Sequence, residues 1–388
     1  MSFTGKATYS AGSTLPELAE DVADLVAIAS PLETPLLEAL GDPGREALST
    51  RHEWMEDELL PNEDAIDDAT WVDPDVDMTF NVDHGSRFRV GDQIQVEGSA
   101  ELMLVTAVGG NLLTVERGYG GTTPENLANN LVLHILGNAS LEAAEAPTAR
   151  FVNRARMTNY TQIFSKTIQV SGSHRAALSL AGVDEIQWQR YCRLVELLRD
   201  LESSVINGAM ATTDPQGGDT VRRTMQGIIP ALTTNRFTTE DSGFPAGTTL
   251  TEAMLNYALR KIWERASSHV DLIVCNGFQK RKINAFVSSS RHFSAGDATF
   301  RDNIGIYESD FGVCQCVLTR WVPPDTILLL DRSRLAVLPL AGRSFHYEPL
   351  AQTGDYEQGI LLGEYTLELR NEAAHGLIRG LDTAEAQT

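Results

Sequence analysis

The sequence predicts an α+β chain, and three observations carry that reading. Residues 86–137 form a run of short, alternating strand segments separated by turn residues. One long amphipathic helix is readable over Asp184–Asn207. From Thr249 onward, helical periods are interleaved with wholly apolar strand segments. The chain has 388 residues, enough for two or three cores. It is 42% hydrophobic and 22% charged, an ordinary globular composition. No apolar run approaches the ~18–20 residues that cross a bilayer, so no membrane partner is expected. The first twenty residues lack an apolar stretch behind a basic start, so no secretory signal is expected. Cys192, Cys275, Cys314 and Cys316 are few and scattered, which suits a reducing compartment.

Residues 1–50 form an N-terminal region with one helix expected over Leu15–Ala29. Pro31 and Pro35 punctuate it, and a short amphipathic piece, Leu36–Leu40, ends at Gly41. Residues 51–82 read as an extended acidic arm and 83–138 as the β module. Its five expected strands are Ser86–Val90, Gln93–Glu97, Glu101–Val108, Leu112–Glu116 and Leu131–Leu136. Gly91-Asp92, Gly98-Ser99, Gly109-Gly110-Asn111 and Gly118–Gly121 supply the turns. The chain returns through a polar segment to a strand within Thr158–Gly172. The helix at 184–207 is capped by Asp184 and carries Tyr191, Leu194, Leu198, Leu201 and Val205 as one stripe. It spans roughly 35 Å.

Thr249 and Glu252 form a capping pattern for the next helix, with Leu255, Leu259, Ile262 and Trp263 on one side. Val270–Cys275 is a buried-type strand, followed by a helix at Phe278–Phe286. Strands are expected at Val313–Thr319, Thr326–Leu330, Leu335–Pro339 and Ile360–Arg370.

Charge is distributed unevenly. Residues 1–80 hold 19 acids and 3 bases, whereas the other 308 residues hold 34 and 28. Glu53–Asp77 has 11 acids and no Lys or Arg, yet Trp54, Met55, Leu59, Leu60, Trp71 and Val72 are interleaved with them. Two tryptophans argue against a merely solvated segment and for an arm that docks on a partner through apolar residues. Such acidity excludes phosphate contact by this face.

Motifs for chemistry are absent or fail on inspection. Asp73, Asp75 and Asp77 have calcium-loop spacing, but Met78 stands where glycine is needed and His84 where glutamate is needed. Cys314 and Cys316 share a strand face without a second ligand pair nearby in sequence, and read as buried apolar residues. Gly118–Thr123 lacks the lysine of a phosphate loop and reads as a turn. Lys280-Arg281-Lys282 reads as a solvated helix face, with an acidic neighbour or DNA as the alternative. No catalytic residue, metal or cofactor is expected.

Several strings are recognisable in order. They are His52–Asp57 (HEWMED), Arg223–Ile228 (RTMQGI), Asn276–Ile283 (NGFQKRKI), Tyr307–Gly312 (YESDFG), Arg320–Asp325 (RWVPPD) and the close at Gly363–Leu381. With the wording of the β module, they make the chain resemble a family of tailed-phage major capsid proteins that carries a small β-domain inserted in the E-loop. The resemblance implies the Hong Kong 97-type capsid fold: N-arm, E-loop, peripheral domain with a spine helix, and axial domain. By position, 1–50 is then the N-arm and 51–172 the E-loop with a β-barrel-like insert at 83–138. Residues 173–224 are the peripheral domain with the spine helix at 184–207, 225–345 the axial domain, and 346–388 the C-terminal part of the peripheral domain. The implied function is self-assembly into pentamers and hexamers of an icosahedral shell enclosing double-stranded DNA, in the virion, after assembly in the host bacterial cytoplasm. Implied partners are other copies of the chain, a portal protein, and separate scaffolding and decoration proteins. Glu53, Glu56, Asp57 and Glu58 of the arm are expected to face Arg190, Arg193 or Arg199 of a neighbouring spine helix, and Trp54 and Trp71 to make apolar contact with the neighbour. A same-fold nanocompartment shell and a metal-dependent enzyme are the alternatives.

Overall fold

A computed structural model describes residues 33–68, 77–176, 185–266, 269–290, 305–351 and 354–384. The expected helix at Leu15–Ala29, together with Trp71, Val72, Asp73, Asp75 and the Asp184 cap, lies outside these residues. The chain divides into two units, one built from residues up to Trp54 and from Arg156 onward, the other from Met55–Ala155.

In the smaller unit six antiparallel strands follow the order Glu63–Ala65, Val132–Asn138, Asp92–Val96, Leu102–Gly109, Leu112–Glu116, Thr79–Asn81. The two outer strands then meet. Ile66 bridges Val82, and backbone bonds run from Asp67 N to Asn81 O (2.9 Å) and from Asp83 N to Ala65 O (3.1 Å). The sheet thereby closes into a small barrel and leaves no open edge. Ile66, Phe80, Val82, Phe88, Ile94, Val96, Met103, Val105, Leu113, Val115, Leu127 and Leu133 fill it.

Two corrections follow. The module begins at Glu63, not at 83, because the acidic arm contributes two of its strands. Each has three residues and one buried side chain, too short to show a period of two. The expected strand Ser86–Val90 is instead a 3₁₀ turn at Gly85–Arg87. Gly85 sits so close to the neighbouring turn that a Cβ there would lie 1.9 Å from Gly110 O. That leaves glycine as the residue that fits.

The larger unit holds two main sheets. A mixed six-stranded sheet has the order Arg236–Thr238, Gly376–Arg379, Thr326–Leu330, Leu272–Cys275, Gly312–Leu318, Ile306–Ser309. Its central strands are buried on both faces, as their unbroken apolar composition requires. Leu272 and Val274 face a core shared with the long helix, while Ile273 and Cys275 face the helix Glu252–Arg265. The second sheet is organised by Tyr356–Leu369, which pairs with Gln162–Ser171 on one edge and with His346–Pro349 and Leu335–Pro339 on the other. A two-stranded sheet of Arg51–Glu56 and Ala155–Tyr160 accompanies the exit and return of the chain. The expected boundary at 345/346 does not separate these layers. Leu335–Pro339 pairs forward with Tyr356–Leu369, and Gly376–Arg379 inserts into the six-stranded sheet.

The long helix runs Glu185–Asn207. Its buried face is Ile186, Leu197, Leu201, Glu202, Val205 and Ile206, so the stripe is rotated from the expected one: Tyr191 is exposed and Leu197 replaces Leu198. The next helix is capped by Thr251, whose hydroxyl accepts from Met254 N, rather than by Thr249. Thr249 instead donates to Asp382 Oδ2 at 2.6 Å. Pro35–Leu40 forms the short helix expected there, with Leu36 fully buried.

Candidate assembly surfaces

The root of the arm is clamped by two glutamates of the strand Tyr356–Leu369. Residues four apart on a strand share a face, and here that face is buried. Glu368 Oε2 accepts from His52 Nε2 at 2.7 Å, and Oε1 accepts from Arg45 Nη2 at 2.8 Å, with Arg370 Nε 3.3 Å away. Burial alone would raise its pKa, but the hydrogen bonds from His52 and Arg45 outweigh it and hold the carboxyl at about 2. Glu364 Oε1 accepts from Arg223 Nη2 and from Thr161 Oγ1, both at 2.5 Å, and Oε2 lies 2.9 Å from Arg343 Nε. Asn159, buried beside them, donates to Leu367 O (2.7 Å) and Gln226 O (3.0 Å) and accepts from Gln226 N (2.9 Å). The outgoing strand is tied down through His52, the return strand through Asn159, and the residue after it through Thr161.

Beyond that root the surface is acidic and apolar together. Met55 and Met157 are exposed on the ribbon. In the barrel unit Leu59 is 94% exposed and Phe151 81%, with Leu60, Leu136 and Leu141 also open. Large apolar side chains this exposed are candidates for burial against another molecule.

The expected contact residues have these settings. Glu53 lies 2.8 Å from Arg51 and 3.8 Å from Arg156, and Asp57 accepts from Arg154 Nε at 3.1 Å. Arginines at 51, 154 and 156 thus partly neutralise the arm acids within the chain. Trp54 is half-buried, with its ring 5.8 Å from that of His52. Glu56 is half-buried and Glu58 exposed. On the long helix, Arg190 stacks 3.6 Å above the Tyr347 ring, Arg199 lies 6.0 Å from that of Trp321, and Arg193 pairs with Glu196. Each of the three arginines is thus already engaged within the chain.

Among the described residues, three groups that sequence or geometry offers for chemistry have partners within the fold. Asp64, Asp83 and His84 converge, but Asp64 Oδ1 already meets Arg87 Nη1 (3.0 Å) and His84 Nδ1 (3.1 Å), and Oδ2 accepts from His84 N (2.8 Å). The guanidinium opposes a cation at that place. The glycine loop at 118–121 is held by Glu101, which accepts from Gly118 N (3.1 Å) and pairs bidentately with Arg117 at 2.7 and 2.8 Å. A carboxylate thus stands where a phosphate would have to sit. Cys275 and Cys314 are buried, and burial pushes their thiols up to about 12. Of the basic cluster, Lys280 is buried rather than solvated, while Arg281 is exposed as expected and Lys282 half-buried. Sequence reasoning missed Glu202, Glu364 and Glu368. Glu202 is signalled by an acid on an otherwise apolar helix face; Glu364 and Glu368 alternate with Tyr365, Leu367 and Leu369, a pattern that reads as a solvent-facing side.

Comparison with known proteins adds a family. The model of the SU10 major capsid protein family matches residues 3–382. A curated relative, the major capsid protein of Pseudomonas phage PaMx41, is 29% identical over 136 residues, which is 35% of this chain. The match spans 32% of that relative's length, about a third. Among solved structures, the capsid of a native GTA particle aligns at TM-score 0.49 and 11% identity, covering 98% of this chain and 100% of that one. A Mycobacterium phage Bobi structure aligns at TM-score 0.41 and 16% identity over 63% and 80% of the two chains. The holo-SrpI encapsulin complex of Synechococcus elongatus PCC 7942 aligns at 0.42 and 12% over 61% and 79%. The chain belongs to the SU10 major capsid protein family.

Proposed function

We propose that this capsid-family chain is the shell-forming subunit of a tailed phage, assembling into pentamers and hexamers around double-stranded DNA. The observation that carries the reading is the family match over almost the whole chain. The clamped arm with exposed Leu59, Leu60 and Phe151 supports it, because that surface suits burial against neighbours better than solvent. Head-to-tail contacts of this kind close into rings when the rotation permits.

In this reading residues 1–50 are the N-arm and 51–172 the E-loop, with the barrel at 63–138 as its insert. The long helix is the spine of the peripheral domain. The axial domain draws on 225–334 together with 376–379, and the peripheral sheet on 335–369. A portal protein, and separate scaffolding and decoration proteins, are the further partners, and assembly takes place in the host bacterial cytoplasm. The arm acids Glu53, Glu56, Asp57 and Glu58 face Arg190, Arg193 and Arg199 of an adjacent subunit, exchanging or sharing their present partners. Trp54 and Trp71 supply apolar contact. No step in this role calls for a catalytic residue.

The test is electron microscopy and light scattering of the full chain, alone and co-expressed with a scaffold. Rings or closed shells are expected. A species of only 42.4 kDa under every condition overturns the reading. Shells that enclose protein and no nucleic acid in an infected host favour a nanocompartment.

A further inference from the structure

Glu202 is the one acid on the buried face of the long helix, and it is fully buried. Its Oε2 accepts from two backbone groups of the N-terminal segment, Leu36 N at 3.2 Å and Leu37 N at 3.3 Å. Its Oε1 meets the Thr319 hydroxyl at 2.8 Å. The charged groups on the surrounding elements are Glu33 and Glu38 on the segment itself, Arg320 beyond Thr319, Arg199 and Asp200 on the long helix, and Arg332 at the far end of the short helix. Arg320 lies 3.8 Å from Glu33, Arg199 faces Trp321, Asp200 pairs with Lys166, and Arg332 donates to Ala39 O. Among the described residues no cation pairs with Glu202.

This is an arrangement suited to a neutral carboxylic acid. One oxygen receives both N–H groups, as a carbonyl does. The other accepts from the Thr319 hydroxyl, which can turn to accept the carboxyl proton instead. An ionised carboxylate buried with no counter-charge loses its hydration for three neutral hydrogen bonds. The segment held in this way is short. Its anchors are Leu36 in the core, the Trp321 Nε1 bond to Glu33 O and the Arg332 bond, and it ends at Gly41 with φ +70.

We propose that Glu202 is a proton-controlled latch for residues 33–40: the neutral acid keeps the segment docked, and loss of its proton to solvent loosens it. Burial pushes the Glu202 carboxyl above its ordinary value; bonds from Thr319, Leu37 and Leu36 offset part of that, and Glu38 adds to the rise. A pKa higher in the docked than in the released state means that docking is strongest below the ordinary carboxyl range and weakens as pH rises through the raised value. The inference concerns the subunit alone and stands apart from the shell reading.

Amide hydrogen exchange of the full chain tests it, read on a peptide containing Leu36 and Leu37 and corrected for intrinsic exchange. In the wild type, protection should fall as pH rises above the ordinary carboxyl value of 4.5, by up to ~10-fold per unit of pKa difference. In Glu202→Gln, which keeps the carbonyl acceptor and puts an amide toward Thr319, protection should stay high without a pH trend. Wild-type protection that does not change with pH overturns the latch, as does a Glu202→Gln trend equal to the wild type's. Should the variant fail to fold, the wild-type profile alone decides.

Discussion

At the scale of single residues, the buried acids are what the sequence conceals. Glu202 interrupts an apolar helix face, whereas Glu364 and Glu368 alternate with Tyr365, Leu367 and Leu369 and so read as the solvent side of a half-buried strand. A period count treats such a residue as noise, because hydrophobic patterning records where side chains point and not what they bond. Their partners lie far along the chain, as with Glu202 and Leu36, 166 residues apart. Glu368 illustrates what is at stake. Its carboxyl is held at about 2, below the ordinary 4.5, so it stabilises the folded state fully above about pH 4.5. That stability is lost as pH falls from there through about 2. Glu368→Ala leaves Arg45 and His52 without their acceptor and should cost ~1–3 kcal/mol, since the arginine is half-exposed and solvent screens its charge. Denaturant unfolding should report that loss at neutral pH, and a flatter stability profile for the variant between about pH 4.5 and 2. An unchanged acid limb would show that Glu368 does not set it.

The elements were legible where they are long or wholly apolar. The helix at 185–207, the strands Leu112–Glu116, Thr326–Leu330 and Leu335–Pro339, and the short helix after Pro35 all lie where periodicity and turn residues put them. What failed was short or irregular. The barrel's first and last sheet positions are three-residue strands drawn from an acidic stretch, and only pairing with Val132–Asn138 and Leu112–Glu116 makes them strands. Register shifts in two strand pairs, between Gln93 and Ile94 and between Val105 and Ala107, also break the alternation that sequence reading needs. Closure through Ile66 and Val82 predicts a clear difference between two deletions. Replacing 63–138 by a Gly/Ser linker removes a whole barrel and should leave the larger unit folded. Replacing only 83–138 leaves Phe80 and Ile66 without a core and should produce a sticky, protease-sensitive product. Circular dichroism and limited proteolysis distinguish them, and equal behaviour of the two would mean that the outer strands fold without the barrel. Within the intact barrel, Phe80→Ala empties a fully buried aromatic site and should cost ~3–5 kcal/mol. A loss below 1 kcal/mol in unfolding monitored within the barrel, at the scale of an exposed site, would show that the site is not a packed core.

At the scale of the whole molecule, composition carried one message that survives and one that needs adjusting. The excess of acid in the first 80 residues does mark the arm, but Arg51, Arg154 and Arg156 already partner Glu53 and Asp57. Assembly through these acids is then an exchange of partners, with little net gain per pair. Exposed ion pairs contribute only ~0.2–1 kcal/mol each. Repetition around a ring makes such increments add. Because the pairs are exposed, they weaken with salt as screening shortens to ~3 Å at 1 M. Reversing Arg193 and Arg199 to Glu should therefore leave the subunit folded, since among the described residues Arg193 bonds to its helix neighbours Glu196 and Gln189 and Arg199 lies over the Trp321 ring. Assembly followed by light scattering should weaken markedly at low salt and approach wild type at 1 M salt, where screening has already silenced the pairs. Reversal of Glu53 and Asp57 to Lys in the same chain should restore part of the low-salt assembly. Assembly by the double Arg variant that matches wild type at low salt would remove the long helix from this contact and leave the apolar side chains Leu59, Leu60 and Phe151 as what holds the neighbours together.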